Sequence, residues 1–410
     1  LFRSNDSLTG GTGADTMFGG QGVDTVTGDS GDDLLYGNLG ADSIAGDTGS
    51  DSLFGGQGND RIESGSDDDL VYGNLGDDSI SNASGDDTIY GNDGDDTLVV
   101  AGGGNNEAYG NAGSDSLTAG SGHDDLFGGQ GNDTLTGGSN SDSIYGNQGD
   151  DVIDASTDTG DDVFGGQGAD SIQTGGSDLV YGNLGDDTVD GATAGGNDTI
   201  FGGGGSDSIT SGGTSEISGG SGADTVVLAG SDTVTTGAGN DVVNGAFGGA
   251  SQVALGDGDD TVQLTTAANV TDQVVGGAGT DEILIAASGS FTLGADVGGF
   301  ENIVIDDENA GTANIDVSAL SEGQNISIAD TAATSSVTVT GGSGNDTVTL
   351  GAGSDSITGG SGDDALTGND GNDVIEGETG DDTLDGGAGN DSLTGGDGSD
   401  SITTGDGNDL

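Results

Sequence analysis

Large apolar residues return every nine positions along the first hundred residues: Met17, Val26, Leu35, Ile44, Leu53, Ile62, Val71, Ile80, Ile89 and Leu98. Each is the centre of a three-residue segment such as 16–18, Thr-Met-Phe. Period-two alternation sends such a central side chain to one face, so each segment predicts a short strand. The six residues between segments are rich in Gly, as in GGTGAD (10–15), GGQGVD (19–24), GNLGAD (37–42) and GGQGND (55–60). Glycine supplies positive φ and lets carbonyls approach, so these six predict a tight turn. One nonamer reverses the chain and two return it, so a full coil takes 18 residues and stacks on the next by parallel pairing, ~4.8 Å away. The fold class is all-β: a parallel solenoid with two strands per coil and a thin apolar interior.

The turns end on Asp with the same regularity, giving the unit GGxGxDxUx with U apolar. Asp15, Asp24, Asp33, Asp42, Asp51, Asp60, Asp69, Asp78, Asp87 and Asp96 stand nine apart; Asp115, Asp124, Asp133, Asp142, Asp151, Asp170, Asp178, Asp187, Asp198, Asp207, Asp224, Asp241, Asp260 and Asp281 continue the series with slips. A second, cleaner array supplies Asp346, Asp355, Asp364, Asp373, Asp382, Asp391, Asp400 and Asp409. The pattern resembles the RTX (repeats-in-toxin) calcium-binding nonapeptide, and the resemblance implies a β-roll. Stacking puts Asp15, Asp33, Asp51, Asp69 and Asp87 on one edge and Asp24, Asp42, Asp60, Asp78 and Asp96 on the other. Carboxylates a few ångströms apart repel, and a hard divalent cation between successive coils removes the repulsion with 6–8 oxygen ligands. Calcium suits a flexible oxygen cage better than magnesium does. The 32 aspartates are therefore the expected metal ligands, and many structural Ca2+ ions the expected cofactor.

Charge agrees with that reading. Asp and Glu number 74 against two Lys/Arg, for a formal net charge of −72; Gly numbers 92, while Pro, Cys and Trp are absent. Apolar residues are 29% of the chain, too few for a conventional large core. Nucleic acid is excluded as a partner, because phosphate neutralisation needs clustered cations. No apolar run approaches the ~18 residues of a membrane span, and zero Cys excludes disulfides and thiolate metal sites. About thirty calcium ions would bring ~+60 against the −72. Without them, high charge and little burial predict disorder.

Three segments follow. Residues 1–284 form a first roll, irregular after about 154; residues 285–340 lose the calcium pattern; residues 341–410 form a second roll. Val100 is an inserted residue and Asn106 occupies an Asp position, while TSEIS (214–218) and GAFGGASQVA (245–254) lack the Asp, and 174–181 is one residue short. Within 285–340, Ile303 with Ile305, Ile315 with Val317, Ile326 with Ile328 and Val337 with Val339 keep the strand period. Wider, calcium-poor coils are predicted there, with Ile303 to Ile305 buried on both faces and a helical turn only at 315–320. The region loosely resembles calcium-free stretches of bacterial surface-layer proteins.

Phe18, Tyr36, Phe54, Tyr72, Tyr90, Tyr109, Phe127, Tyr145, Phe164, Tyr181 and Phe201 recur about once per coil, beside U rather than at it. They form one outward ladder, either stacked upon itself or an adhesive stripe for another copy.

Catalysis finds no support: the single His123 lies in the variable fifth position of AGSGHD (119–124), Lys is absent, and the carboxylates are committed to metal. The chain has no initiator Met and is expected to be a segment of a longer protein. RTX resemblance implies bacterial export in one step through a type I channel and folding in extracellular calcium. The FGGQG and YGNLG phrasing resembles surface proteins of filamentous cyanobacteria, including oscillin-like fibril proteins. The preferred reading is a surface-layer, sheath or fibril protein whose partners are its own copies and, further, cell-surface polysaccharide. The carrier region of a secreted toxin or hydrolase and the stalk of an adhesin are the alternatives.

Overall fold

A computed structural model describes residues 4–191, 196–245, 247, 250–265, 269–270, 272–286, 289–306, 313–320, 322–328 and 336–410. Strands are the only regular elements among these residues, and every named strand pair is parallel. The chain divides into two compact units, Leu1–Gly212 and Gly213–Leu410.

In the first unit, successive strands alternate between two sheets. Thr16–Gln21, Leu34–Leu39 and Ser52–Gln57 pair in one sheet, and Ser7–Thr12, Thr25–Ser30 and Ser43–Thr48 in the other. The register joins Met17 to Leu35 and Leu35 to Leu53, so one coil is 18 residues. U residues face inward from both sheets: Leu35, Leu53, Ile62, Val71 and Ile89 are fully buried. This stack is the thin core, and each U residue removed from water contributes roughly 1.5–3 kcal/mol. The extra residue near Val100 is absorbed as a register irregularity between Val100 and Gly103, which leaves the strands on either side in phase.

The second unit begins and ends in the same way. Between its regular ends the coils widen, because the register pairs Ile283 with Ile303, Ile303 with Ile326 and Ile326 with Val348, steps of 20, 23 and 22 residues. One face keeps a single sheet throughout. The opposite face changes sheets: one ends at Val297–Gly298, while another starts at Asn269–Val270 and runs to Ser392–Asp397. Coils between 261 and 301 therefore carry three strands rather than two.

Two local expectations need correction here. Residues 315–320 are only in part a turn: Ala313–Asp316 is a strand, and a single turn follows it, closed by a bond of 2.9 Å from the Leu320 amide to the Val317 carbonyl. Val304 is only half-buried between the fully buried Ile303 and Ile305, so that strand packs on one face. Ile315, Val317, Ile326, Val337 and Val339 are buried as their period predicts; the side chain of Ile328 lies outside the described residues.

Candidate metal centres

The turn between strands places three glycines for two different reasons. Gly20 and Gly22 adopt φ of 114° and 133°, the region that favours glycine. The second of the three positions also admits Asn or Asp, as at Asn38 (φ 79°) and Asp47 (φ 74°), which is why GNLG alternates with GGQG. The first glycine answers to space instead. A β-carbon on Gly19 would lie 2.7 Å from Asp24 Oδ2 and 2.9 Å from the Gly37 carbonyl oxygen of the next coil. At Gly55 the same two distances, to Asp60 Oδ2 and the Gly73 carbonyl, are 2.5 and 2.7 Å. Such turns, repeated at Gly37, Gly73, Gly128 and Gly146, enclose a small cradle walled by a carboxylate oxygen and a carbonyl oxygen.

The sixth-position aspartates form two rows, as their register predicts. Within a row each Oδ1 accepts a hydrogen bond from the backbone amide of the aspartate one coil earlier: Asp24 to Asp42, Asp42 to Asp60 and Asp60 to Asp78, each 2.7 Å, on one edge. On the other edge Asp33 donates to Asp51 and Asp51 to Asp69, both 2.8 Å. Of the 32 expected ligands, 29 are buried; Asp15, Asp400 and Asp409 are half-buried because each ends a row. The second carboxylate oxygen is the unusual one. In Asp24, Asp42, Asp60, Asp78, Asp96, Asp115, Asp133, Asp151, Asp170 and Asp187, consecutive along one edge, Oδ2 is shut off from solvent and receives no hydrogen bond. Burying an ionised oxygen without a partner is strongly unfavourable unless a cation satisfies it.

Electrostatics carries the same message. Burial pushes Asp60, Asp96 and Asp133 up to about 7 and Asp142 up to about 8; the amide bond to Oδ1 offsets part of this, and neighbouring carboxylates add to it. The donor set is oxygen only, which fits a hard cation. Among the described residues no three carboxylates or imidazoles converge on one point, so a cation at a turn draws on carbonyl oxygens as well.

Sequence reasoning missed four members of the rows: Asp6, whose amide donates to Asp24 Oδ1 at 2.7 Å, heads one row, and three more lie within the rows. Asp161 accepts from the Asp142 amide at 2.7 Å, Asp232 from the Ser215 amide at 2.8 Å and Asp272 from the Ser251 amide at 3.1 Å, and all three are buried. The signal was the apolar residue two places on, Val163, Val234 and Val274, without the preceding glycine pair. Other positions in the rows hold no Asp: Asn106, Ser215, Ser251, Gln324 and, through Oε2 accepting from the Asp281 amide at 2.7 Å, Glu301. Residues 246, 248 and 249 of the segment 245–254 lie outside the described residues.

The fifth position is not idle. Its amide donates to the fifth-position side chain of the coil before, as Asp77 to Asn59 (3.2 Å), Asp95 to Asp77 (3.1 Å) and Asp150 to Asn132 (3.0 Å). His123 joins this exposed row, its amide donating to Asn105 Oδ1 at 3.0 Å and its Nδ1 lying 2.8 Å from the Ser141 carbonyl, so Nδ1 carries the proton. On the outer face of the first unit the eleven rings stack with centroids 4.7–5.2 Å apart and planes within 12°. Their faces are turned to one another and their edges outward.

A family model described as RTX calcium-binding nonapeptide repeat (4 copies) matches residues 3–35, 19–53, 36–71, 45–80, 72–103, 100–135, 127–159, 156–189, 190–215, 218–249, 340–375 and 376–410. Together the matches cover well over half of the chain, and they skip the wide coils. No curated protein matches it.

Proposed function

Because the chain belongs to the RTX calcium-binding nonapeptide repeat family, we propose that the aspartates of its two rows, Asp161 included, are the ligands of a long series of structural calcium ions. The observation that supports this is the row of buried Oδ2 oxygens without donors, nearly all of them facing a glycine cradle that a carbonyl oxygen also walls. Bound calcium supplies charge neutralisation, letting two carboxylates one coil apart share a site. The chain's own residues do the rest. Oδ1 is held by the amide of the previous coil, the first glycine keeps the cradle open, and U residues close the interior. Steps that involve Asn106, Ser215, Ser251, Glu301 or Gln324 lack one carboxylate of the pair or replace it, and bind weakly or not at all.

On this reading the chain folds where calcium reaches the ~10⁻⁴–10⁻³ M of extracellular modules. It serves there as structural material of a cell surface, a layer, sheath or fibril built from copies of itself. The repeats are a structural fold, and proteins with such repeats are typically exported by the type I route. An approaching copy meets ring edges together with the exposed Leu39, Leu75 and Leu184, not ring faces. The test of the calcium reading is a titration of the chelated full chain, following strand signal and bound metal together. Cooperative folding with tens of ions bound supports it; a fully formed roll in chelator overturns it. Light scattering in millimolar calcium tests assembly: a chain that stays monomeric at high concentration returns the choice to a carrier region or a stalk.

A further inference from the structure

The aromatic column alternates Phe and Tyr over most of its length, but in one place three tyrosines follow one another. Tyr72 and Tyr90 stack with centroids 4.8 Å apart and planes 8° apart, and Tyr90 and Tyr109 with 4.8 Å and 10°. Tyr36, Tyr145 and Tyr181 are each flanked by phenylalanines on both sides. We infer that Tyr72, Tyr90 and Tyr109 are a site of oxidative cross-linking, in which two neighbouring phenols join within one chain as dityrosine.

The geometry supplies what the coupling needs. Pairing is in register, Tyr72 opposite Tyr90 and Tyr90 opposite Tyr109, so matching ring atoms of adjacent coils face each other. The rings are half-buried on an outer face, open to a small oxidant. The co-reactant is a peroxide used by a peroxidase, a one-electron oxidant. Each phenol loses one electron and its hydroxyl proton; the two radicals bond through the ring carbons beside the oxygens. The hydrogens on those carbons then move to the oxygens and restore both phenols. Peroxide takes up the two electrons and two protons and leaves as water. Rotation of both rings about their Cβ–Cγ bonds turns the stacked faces edge to edge, and a tilt of the two side chains toward each other closes the remaining gap between the carbons.

The position matters. The step from Tyr90 to Tyr109 is also the step from Asp87 to Asn106, where the amide of Asp87 meets a carboxamide oxygen at 3.0 Å in place of a carboxylate. It also spans the inserted residue near Val100. A covalent bond between Tyr90 and Tyr109 would tie two coils at a step short of one metal-binding carboxylate. The inference rests on ring geometry alone and holds whether or not chains assemble.

The test treats the dilute, calcium-loaded full chain with peroxidase and hydrogen peroxide. The expected product shows dityrosine fluorescence, runs as a monomer under denaturing conditions, and has lost the mass of two hydrogen atoms between peptides carrying Tyr72, Tyr90 and Tyr109. Tyr90→Phe leaves no two tyrosines adjacent and should lower the yield roughly tenfold or more, since the held pair has a high effective concentration. Tyr36→Phe removes one tyrosine but no adjacent pair, and should leave the yield nearly unchanged. Chelator, by dispersing the coils, should act like Tyr90→Phe. Equal yields from the two variants, an undiminished yield in chelator where strand signal is lost, or links found only between chains would overturn it.

Discussion

The amide of Asp60 donates to Oδ1 of Asp78 in the next coil at 2.7 Å, while the amide of Asp77 in that coil donates back to Oδ1 of Asn59 at 3.2 Å. Adjacent coils are thus clasped at each such turn by two bonds of opposite direction, one buried and one exposed. The buried bond fixes Oδ1, so only Oδ2 remains to meet a cation. The exposed bond fixes the backbone immediately before that carboxylate. Together they hold the carboxylate in place with no help from side chains of the core.

Asp78 therefore has two separable tasks. Asp78→Asn keeps an oxygen to accept from the Asp60 amide, as Asn106 does for Asp87, but removes the charge. Asp78→Ala removes both and strands a buried amide, which costs roughly 1–3 kcal/mol more. Calorimetric titration should show both variants weakening the two sites that Asp78 shares with Asp60 and Asp96. Denaturation in saturating calcium should separate them, with Asn clearly the milder. Equal stability of the two variants would mean that the buried bond contributes nothing.

Chelation should disperse the rolls. Their interior is one U residue per strand, joined by a second buried apolar residue in only a few strands such as that of Leu98 and Val100, and their turns bury a carboxylate in most nonamers. Circular dichroism should show disorder in chelator and parallel strand in millimolar calcium, with full reversal on rechelation. Unchanged strand signal in chelator would place the stability in the apolar stack instead.

Much of this was legible in the sequence because a solenoid makes spatial neighbours of residues at a fixed spacing. The two rows, the coil length and the ring column follow from counting to 18. The count fails where a shift of phase coincides with loss of the glycine pair, as at Asp161, 19 residues after Asp142; Asp115 and Asp170 follow steps of 19 as well but keep a glycine-rich turn. Asp232 and Asp272 lack the glycine pair that marks the others, because their row partners are Ser215 and Ser251 and the turn has drifted. The fifth position looked variable since Asp, Asn, Ser and His all stand there. Its bond requires only an amide from each and an acceptor from some of them. The change of sheets after Val297–Gly298 left no trace in apolar spacing, as both arrangements obey period two.

The first two positions of the turn should respond in different ways. Gly55→Ala drives a β-carbon to 2.5 Å from Asp60 Oδ2 and 2.7 Å from the Gly73 carbonyl, closing the cradle. Asn38 has φ 79° and pairs in register with Gly20 and Gly56, so Asn38→Gly continues an existing row and meets nothing. The calcium concentration at half-folding should rise about tenfold or more for Gly55→Ala, ~1.4 kcal/mol, and little for Asn38→Gly. A larger effect at Asn38 would show that backbone conformation, not cradle volume, limits the turn.

Acid should partly replace calcium. In the metal-free roll burial pushes Asp60, Asp69, Asp96, Asp133, Asp151 and Asp161 up to about 7, against an ordinary value of 3.8. A carboxyl raised in the folded state binds protons more tightly there than in the unfolded chain. Its contribution is fully present below the unfolded value near 3.8 and is lost as pH rises through about 7. The metal-free chain should accordingly gain strand signal between pH 8 and pH 4, taking up protons as it folds. Calcium, which needs the ionised form, should bind more weakly as pH falls over the same window. Parallel titrations by circular dichroism in chelator and by calcium electrode at fixed pH give both halves. Strand signal in chelator that is flat across the window would mean that carboxylate burial is not what keeps the metal-free chain unfolded.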